Sequence, residues 1–222
     1  MDVFKEINDI LLNKEKPSIE IEELMNNEYF KNSELNILSI LKNIPQDKEF
    51  HPEGNVWNHT KLVIDIAAKL KNFSENKSRF MWAALFHDIG KIKTTKFIKG
   101  RYRSYNHDKV GKDVTYNILI NYMDETEVKE ISEIVSFHMH HIYILKDLPF
   151  SNIPQLISSN NYNDIILLFI CDKLGRGNEN FKEKNKVLEE INIILSKLEL
   201  ENSKANRNIN DKYEKIKKSL MI

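Results

Sequence analysis

Four residues of this chain combine a metal-binding side chain with a position that the sequence pattern turns inward. They are His59, His87, Asp88 and Asp172. Because a buried carboxylate without a partner costs several kcal/mol, the two aspartates need a compensating charge. A divalent cation would provide it, and imidazole with carboxylate ligands suits Mn, Fe, Co, Ni or Zn rather than Ca. The residue types therefore predict a divalent-metal site.

Such a site would support the hydrolysis of a phosphate ester. Coordination to a divalent metal lowers the pKa of water from about 15.7 towards about 7, so hydroxide forms at neutral pH. Hydroxide can attack a phosphorus centre. The predicted reaction is therefore metal-dependent phosphate ester hydrolysis.

Apolar periodicity predicts which helices carry the outer two residues of this set. A predicted helix over residues 56–71 has its apolar positions three and four residues apart, and His59 lies on that stripe. A second predicted helix, over residues 162–174, continues its apolar stripe into Asp172. Both side chains are therefore expected to face the interior.

A central helix is predicted to carry the adjacent histidine and aspartate. Residues 78–89 are apolar nearly all round, which indicates a helix buried on every side. This helix is predicted to end in His87 and Asp88, with Gly90 as its C-terminal cap.

Further histidines lie on other predicted elements. Asp124 with Glu127 predicts a capping box at the start of a helix that ends near His141. His138 continues the inner stripe of that helix, and His141 shares its face, whereas His140 is rotated away.

A short β-hairpin is the only predicted β element. Residues 94–98 and 101–105 are rich in β-branched and aromatic side chains and flank Lys99-Gly100. The helix that follows begins near residue 106 and places His107 in its first turn.

Composition predicts an all-α chain. The 222 residues include 6 glycines and 5 prolines, so tight turns are few. The remaining predicted helices cover 3–12, 19–25 and 33–41, and a helical repeat passes through Val187, Ile191, Ile194 and Leu198. The 33 basic residues balance 33 acidic ones, so no net charge attracts nucleic acid. A zero net charge is still compatible with a local basic patch.

A cytoplasmic location is expected. The single cysteine, Cys171, cannot form an intramolecular disulfide and is expected to be an inert buried thiol. The chain opens without a charged and then apolar leader, and its longest apolar run falls far short of the roughly 20 residues of a membrane-spanning helix. No membrane partner is expected. Trp57, Trp82 and Phe86 are expected in the core rather than on a nucleobase platform.

The order His59, His87-Asp88, Asp172 resembles the H…HD…D signature of the HD-domain metal-dependent phosphohydrolase superfamily. The local sequences are similar to the HD domain attached to some bacterial tRNA nucleotidyltransferases of the CCA-adding type. This similarity covers about residues 30 to 177 and is carried by His51-Pro-Glu-Gly-Asn-Val-Trp-Asn-His-Thr60, His87-Asp-Ile-Gly-Lys91, His138-Met139 and Asp172-Lys-Leu-Gly-Arg176.

The resemblance implies a fold and a division of the chain. The fold is an HD-domain-like helical bundle with a short hairpin near 94–105 and extra helices at both ends. We expect an N-terminal helical extension over 1–45, the HD domain over 46–180, and a C-terminal helical extension or tail over 181–222.

The resemblance also implies the metal ligands and the cofactor. One or two divalent ions are expected, of Mn, Fe, Co, Ni, Zn or Mg. The ligands of the first ion would be His59, His87, Asp88 and Asp172. His107 and His138 match the additional histidines of binuclear members, in which Asp88 would bridge the two ions.

Two basic residues are implied at the substrate. Lys91 would lie near the substrate phosphate and act with Asp88 in catalysis, and Arg176 is a second phosphate contact. Structural roles compete with these assignments. Lys91 could be a solvated cation at a helix C-terminus, Arg176 could serve a helix-terminating turn, and His107 could be a surface residue.

Departures from better-known subgroups narrow the substrate. Guanosine-tetraphosphate hydrolases of this superfamily carry a Glu-Asp pair soon after the HD doublet, where this chain has Lys91-Ile-Lys-Thr-Thr95. Cyclic-dinucleotide esterases carry a Gly-Tyr-Pro element that this sequence lacks. Both substrates are disfavoured, and nucleotidyl transfer would need a separate catalytic domain.

Three functions remain in competition. The leading hypothesis is a phosphatase or phosphodiesterase that acts on a nucleotide or a similar phosphate ester. The alternative is a non-catalytic module that binds a metal or nucleotide and assists a tRNA- or RNA-processing partner. An oxygenase with a di-iron site is the least favoured. The oligomeric state is not predicted.

Overall fold

Helices dominate the computed structural model, which describes residues 2–176, 181–201, 215, 216 and 218. The α-helices are α1 (Val3–Asn13), α2 (Pro17–Leu24), α3 (Glu28–Lys31), α4 (Ile37–Ile40), α5 (Val56–Leu70), α6 (Lys77–Phe86), α7 (Lys91–Thr94), α8 (His107–Leu119), α9 (Glu125–Phe137), α10 (His140–Leu145), α11 (Ile153–Ser158), α12 (Tyr162–Leu174) and α13 (Phe181–Glu201). Strands β1 (Thr95–Ile98) and β2 (Arg101–Ser104) form one hairpin. The predicted all-α class with a single short hairpin is confirmed.

Helix α6 lies at the centre of the bundle. Every residue from Phe80 to Phe86 is fully buried, in agreement with its apolar sequence. The helix packs against α1, α5, α9 and α12. It therefore carries its C-terminal end, and the residues that follow, into the middle of the molecule. The predicted core positions of Trp57, Trp82 and Phe86 are confirmed.

The predicted helix that ends near His141 is wrong only over about its last four residues. Helix α9 ends at Phe137, and α10 begins at His140. The backbone N–H and the Nδ1 of His138 both bond the carbonyl oxygen of Val135, three residues earlier. These contacts tighten the turn and end the α-helical ladder. The side chain of Asp124 makes no capping hydrogen bond, so the predicted capping box is also wrong.

Gly90 is not the left-handed helix cap that the sequence predicted. Its φ of −64° and ψ of −20° are ordinary right-handed values. A Cβ atom at this position would lie 2.1 Å from the carbonyl oxygen of His107 and 2.5 Å from the backbone nitrogen of Gly111. Glycine is therefore required by the close approach of α8, not by backbone dihedral angles.

The segment predicted as one helix over 33–41 is a series of short turns. Helices α3 and α4 alternate with 3₁₀ turns at Glu34–Asn36 and Leu41–Asn43. Buried Leu35, Leu38 and Leu41 recur every three residues. This spacing matches the three residues per turn of a 3₁₀-helix, so tight turns bury all three leucines.

The hairpin forms as predicted. Lys99 and Gly100 both have positive φ, at 51° and 78°, which is typical of a two-residue type I′ turn. The register pairs Thr95 with Ser104 and Phe97 with Tyr102.

Helices at both ends of the chain pack on the central bundle. Helix α1 contacts α6 and α2 contacts α5, while α13 contacts α10 and α12. The predicted apolar repeat in α13 is buried. Gly177 and most of the C-terminal tail after Glu201 lie outside the described residues. The proposed boundaries at 45/46 and 180/181 stay predictions.

No helix in the described part of the chain is both long and apolar enough to cross a membrane.

Cys171 should be chemically silent in the folded protein. It is fully buried in α12, and burial raises the pKa of its thiol. We expect a thiol reagent at mildly alkaline pH to leave the native chain unmodified and to label it fully in denaturant. Intact mass before and after unfolding measures this. Rapid labelling of the native chain would contradict the packing of α12.

Candidate metal centre

His59 reaches the centre from the first turn of α5. The Asn55 side chain accepts a hydrogen bond from the Asn58 backbone and caps this helix. The Nδ1 of His59 lies 3.0 Å from the carbonyl oxygen of Gly175, and its Nε2 lies 2.9 Å from Oδ1 of Asp172. Contact between α5 and α12 therefore brings together two residues 113 positions apart.

His87 presents an unused ring nitrogen to the same centre. Its Nδ1 donates a hydrogen bond to the carbonyl oxygen of Ala84 at 2.8 Å, so in the neutral ring Nε2 carries the available lone pair. The Nε2 atom is buried and, among the described residues, has no hydrogen-bond partner. A buried acceptor without a donor is costly unless a cation binds it.

His107 and His138 show the same arrangement. Their Nδ1 atoms each donate to a backbone carbonyl oxygen at 2.6 Å, those of Ser104 and Val135. Their Nε2 atoms then face each other at 3.1 Å. Two lone pairs at this separation repel each other, so the pair needs a proton or a metal ion beside it. His107 is only 6% exposed and His138 only 1% exposed. The surface role considered for His107 is therefore excluded.

Asp88 lies between these histidines. Its Oδ1 is 3.3 Å from Nε2 of His107 and 3.6 Å from Nε2 of His138. Its Oδ2 is 3.4 Å from Nε2 of His87 and 3.8 Å from Nε2 of His59. One carboxylate thus faces two groups of potential ligands.

The donor atoms divide into two adjacent groups that could each hold a metal ion. Atoms of His59, His87 and Asp172 lie within 4.8 Å of one another, and so do those of Asp88, His107 and His138. The structure therefore brings together all six residues that the sequence predicted as ligands. Imidazole nitrogens fixed by backbone carbonyls, with carboxylates between them, fit a divalent transition metal.

A family model for the HD domain matches residues 56–177, which is more than half of the chain. The chain belongs to the HD domain family. The predicted resemblance is confirmed, and so is the divalent-metal cofactor, because HD domains bind divalent metals and His/Asp groups here are positioned to hold one. The identity of the metal is open. The family falls within a superfamily of metal-dependent phosphohydrolases.

The HD domain also accounts for similarity to longer proteins. The Multifunctional CCA protein of Actinobacillus pleuropneumoniae serotype 5b (strain L20) is 29% identical over 140 residues, 60% of this chain and 34% of that protein. The Multifunctional CCA protein of Pasteurella multocida (strain Pm70) is 27% identical over 147 residues, 63% and 34% of the two chains. The Multifunctional CCA protein of Haemophilus influenzae (strain PittGG) is 26% identical over 178 residues, which cover 74% of this chain and 41% of that protein. This chain thus spans about a third of the length of the first two relatives.

His141 also lies at this HD centre, although it was not among the ligands expected from the sequence. Its Nδ1 donates to the carbonyl oxygen of His138 at 2.6 Å, and its Nε2 lies 3.4 Å from Oδ2 of Asp172. That Nε2 has no hydrogen-bond partner in the described chain. The spacing of three residues from His138 was the available signal. His140 packs against Phe137 and Tyr143 instead, as predicted.

Glu53 is a neighbour of the centre that sequence reasoning missed. Its Oε1 lies 2.8 Å from Nδ1 of His51 and 3.1 Å from Nδ1 of His59. Burial would raise the pKa of Glu53, but hydrogen bonds with His51 and His59 lower it to about 2. A charged Glu53 therefore helps to orient His59 from the loop before α5. His51 forms a third potential ligand group with Glu53 and His59.

Lys91 is buried and paired, so a solvated helix-terminal lysine is the wrong description. Its Nζ lies 2.7 Å from Oδ2 of Asp88 and 2.7 Å from Oε1 of Gln46. Burial would raise the pKa of Asp88, but Lys91 and neighbouring histidines hold it well below its usual value. Asp88 is therefore ionised at neutral pH.

A cavity of about 630 Å³ opens onto the centre. Asp88, His107, His138 and Asp172 line its floor. Its walls carry more basic than acidic side chains, and these basic residues are Lys91, Arg101, Arg103, Lys146, Lys173 and Arg176. Arg176 projects from the end of α12, with its Nη2 4.0 Å from Oδ2 of Asp172. The cavity is thus suited to an anion.

Metal affinity should increase with pH up to about 9. Burial by itself lowers the pKa of His59, but hydrogen bonds with Asp172 and Glu53 raise it to about 9. A metal ion must displace this proton, so the apparent association constant should rise by up to about tenfold per pH unit below that value. Titration of the apoprotein with Mn against a chromophoric chelator measures the slope.

A Glu53→Gln variant provides the matched control for this titration. Because the Glu53 carboxylate helps to raise the pKa of His59, its amide should move the plateau to lower pH. An affinity that is independent of pH between about 7 and 9 would contradict the protonation of His59.

Proposed function

We propose that this HD domain is a divalent-metal-dependent phosphatase or phosphodiesterase that acts on a nucleotide or a similar phosphate ester. One observation carries the proposal. Five buried imidazoles have Nδ1 bound to a backbone carbonyl and direct Nε2 towards two carboxylates. The five are His59, His87, His107, His138 and His141, and the carboxylates are Asp88 and Asp172.

The residues assigned to metal binding form two sets. In the proposal, His59, His87 and Asp172 would hold one ion, His107 and His138 would hold a second, and Asp88 would serve both sets. A bound divalent ion polarises a phosphoryl oxygen and lowers the pKa of water to near neutrality.

Two basic residues are proposed to bind and orient the phosphate. Lys91 directs its ammonium group at Asp88 from within the cavity wall, so an entering phosphoryl oxygen meets a cation already fixed in place. Arg176 offers a planar set of donors, and its buried Nε has no partner in the described chain. Positive charge at both positions favours a dianionic ester over a neutral one.

The upper walls of the cavity support a nucleotide rather than a bare phosphate. Phe50, Tyr102 and Tyr105 contribute aromatic rings, and Met139 and Ile142 contribute apolar surface. A planar base can pack on such surfaces while its phosphate lies beside the basic side chains of the cavity.

The test is reconstitution followed by a substrate panel. The purified chain is stripped of metal and loaded in turn with Mn, Fe, Co, Ni, Zn or Mg. It is then assayed on nucleoside monophosphates, 2′,3′-cyclic nucleotides and a generic diester. We expect turnover with at least one metal and its loss in His87→Gln.

A His140→Gln variant is the matched control. His140 is also buried, but its ring packs on Phe137 and Tyr143 outside the two ligand groups, so this variant should retain turnover. If no metal restores hydrolysis although nucleotides bind tightly, the non-catalytic binding module becomes the better description.

A further inference from the structure

The hairpin is the most strongly basic segment near the cavity. Residues 95–104, which form the hairpin, contain four lysines and arginines and no aspartate or glutamate, whereas basic and acidic residues balance over the whole chain. The hairpin therefore carries a local positive charge that the net charge conceals.

One face of the hairpin is aromatic and open to solvent. Phe97 and Tyr102 are direct partners across the strands, and their ring centroids lie 5.0 Å apart. Phe97 remains 65% exposed and Tyr102 40% exposed. The two rings meet edge to face, with 60° between their planes, so an open ring face is left on which a nucleic acid base can stack.

The opposite face carries cations that lack acidic partners. Lys96 and Arg103 lie directly opposite each other, and neither forms an ion pair with any residue that the structure describes. Like charges in this relation destabilise a hairpin. An anionic ligand across both side chains would remove that penalty. Arg101, by contrast, is paired with Glu49 at 2.7 Å.

The hairpin is continuous with the metal centre. Strand β2 ends at Ser104, whose carbonyl oxygen accepts the hydrogen bond of the His107 Nδ1. Arg103 and Tyr105 line the cavity. The four paired positions of the ladder extend over about 10 Å, so a ligand that contacts both the tip and the cavity must be elongated.

We propose that the hairpin binds single-stranded nucleic acid and leads one of its phosphate esters to the metal centre. Bases stack on Phe97 and Tyr102, and the strand's backbone follows the edge of the hairpin, where the long side chains of Lys96 and Arg103 reach its phosphates from the other face. The last step rests on the proposed function, whereas binding to the hairpin does not.

Single strands fit this surface better than duplexes or lipid. The aromatic rings need unpaired bases, whose faces are free to stack, and a duplex would meet only the cations. The exposed apolar area is confined to a few rings, and the remaining side chains of the hairpin are largely basic or hydroxylated.

The test measures binding of the full chain to a fluorescein-labelled oligouridylate of about 12 nucleotides by anisotropy. We expect Phe97→Ala to weaken binding about tenfold, as for loss of one stacked base. Lys96→Gln should reduce the slope of log affinity against log salt by about 0.7. Equal affinity of both variants and wild type would overturn the proposal.

Phe150→Ala is the matched control, because Phe150 is 67% exposed and its ring centroid lies 5.6 Å from that of Tyr143. It should bind as wild type does; a tenfold loss there would overturn the assignment to the hairpin. Binding to anionic phospholipid vesicles as tight as to the oligonucleotide would overturn it in favour of a membrane.

Turnover separates this inference from the proposed function. For Phe97→Ala, kcat/KM should fall about tenfold more on an oligonucleotide ester than on a small generic ester. If the ratio of kcat/KM on the oligonucleotide ester to kcat/KM on the small ester is the same in variant and wild type, and the small ester is still hydrolysed, the hairpin does not lead nucleic acid to the metal centre. That result would leave the proposed function standing. Hairpin-dependent binding without hydrolysis of any ester would support the surface and reject the proposed function.

Discussion

Replacement of Asp88 by alanine is expected to remove both bound metal and ester turnover. Among the residues that the structure describes, Asp88 is the one carboxylate within 4 Å of four histidine Nε2 atoms, so its loss affects both ligand groups. Lewis-acid catalysis contributes several kcal/mol, which corresponds to at least about a thousandfold in rate. Elemental analysis and kcat/KM on the same preparations measure the two effects.

Two further variants make the Asp88 result interpretable. Loss of Asp88 leaves the Lys91 ammonium buried without its ion-pair partner, which could unfold the chain. Asp88→Asn keeps the volume and still offers an oxygen to Lys91, and we expect the same loss of metal. Asp164→Asn is the control, because Asp164 is equally buried but lies beside Arg79 rather than in a ligand group. Full metal content in Asp88→Asn would refute a ligand role.

Replacement of Gly90 by alanine is expected to lower the free energy of unfolding far more than replacement of Gly111 by alanine. The added methyl group would meet backbone atoms of α8 at 2.1 to 2.9 Å, and backbone cannot rotate away as a side chain can. Overpacking against backbone that cannot move aside costs about 3 kcal/mol, the upper end of the usual range. The shift of α8 should also move His107, so metal content should fall. Urea unfolding of the apoprotein measures the free energy.

Gly111→Ala tests the same helix contact from the other side. A Cβ atom on Gly111 meets first the flexible Val135 side chain, at 3.2 Å, and next Gly90 N at 3.5 Å. Alanine also favours the helix, so the change in unfolding free energy should stay within about 1 kcal/mol. Similar losses in both variants would show that close backbone approach is not what requires glycine at Gly90.

Local sequence was sufficient to predict those features that depend on a single helix or turn. The apolar stripes of α5 and α12 predicted that His59 and Asp172 face inward, and both are buried. The β-branched residues around Lys99-Gly100 predicted the hairpin, because the type I′ turn depends on two adjacent residues. The apolar character of α6 predicted its central position. These features depend on periodicity and turn chemistry, which lie within a few residues.

Long-range contacts decided the remaining features. Gly90 was misread because only the packing of α8 reveals the space that it must leave. The role of Glu53 depends on the loop before α5, which folds back over His59. The break after Phe137, which sets the orientation of His141, depends on hydrogen bonds to Val135.

By itself the sequence determined the family, the helical class, the hairpin and the residue types of a metal site, since each follows from local pattern or ordered motif. Tertiary structure decided how those residues divide into two ligand groups around Asp88, and that the basic hairpin borders the cavity. The reason is physical. Distances among side chains from five separate segments are set by the packing of helices, which no local pattern encodes.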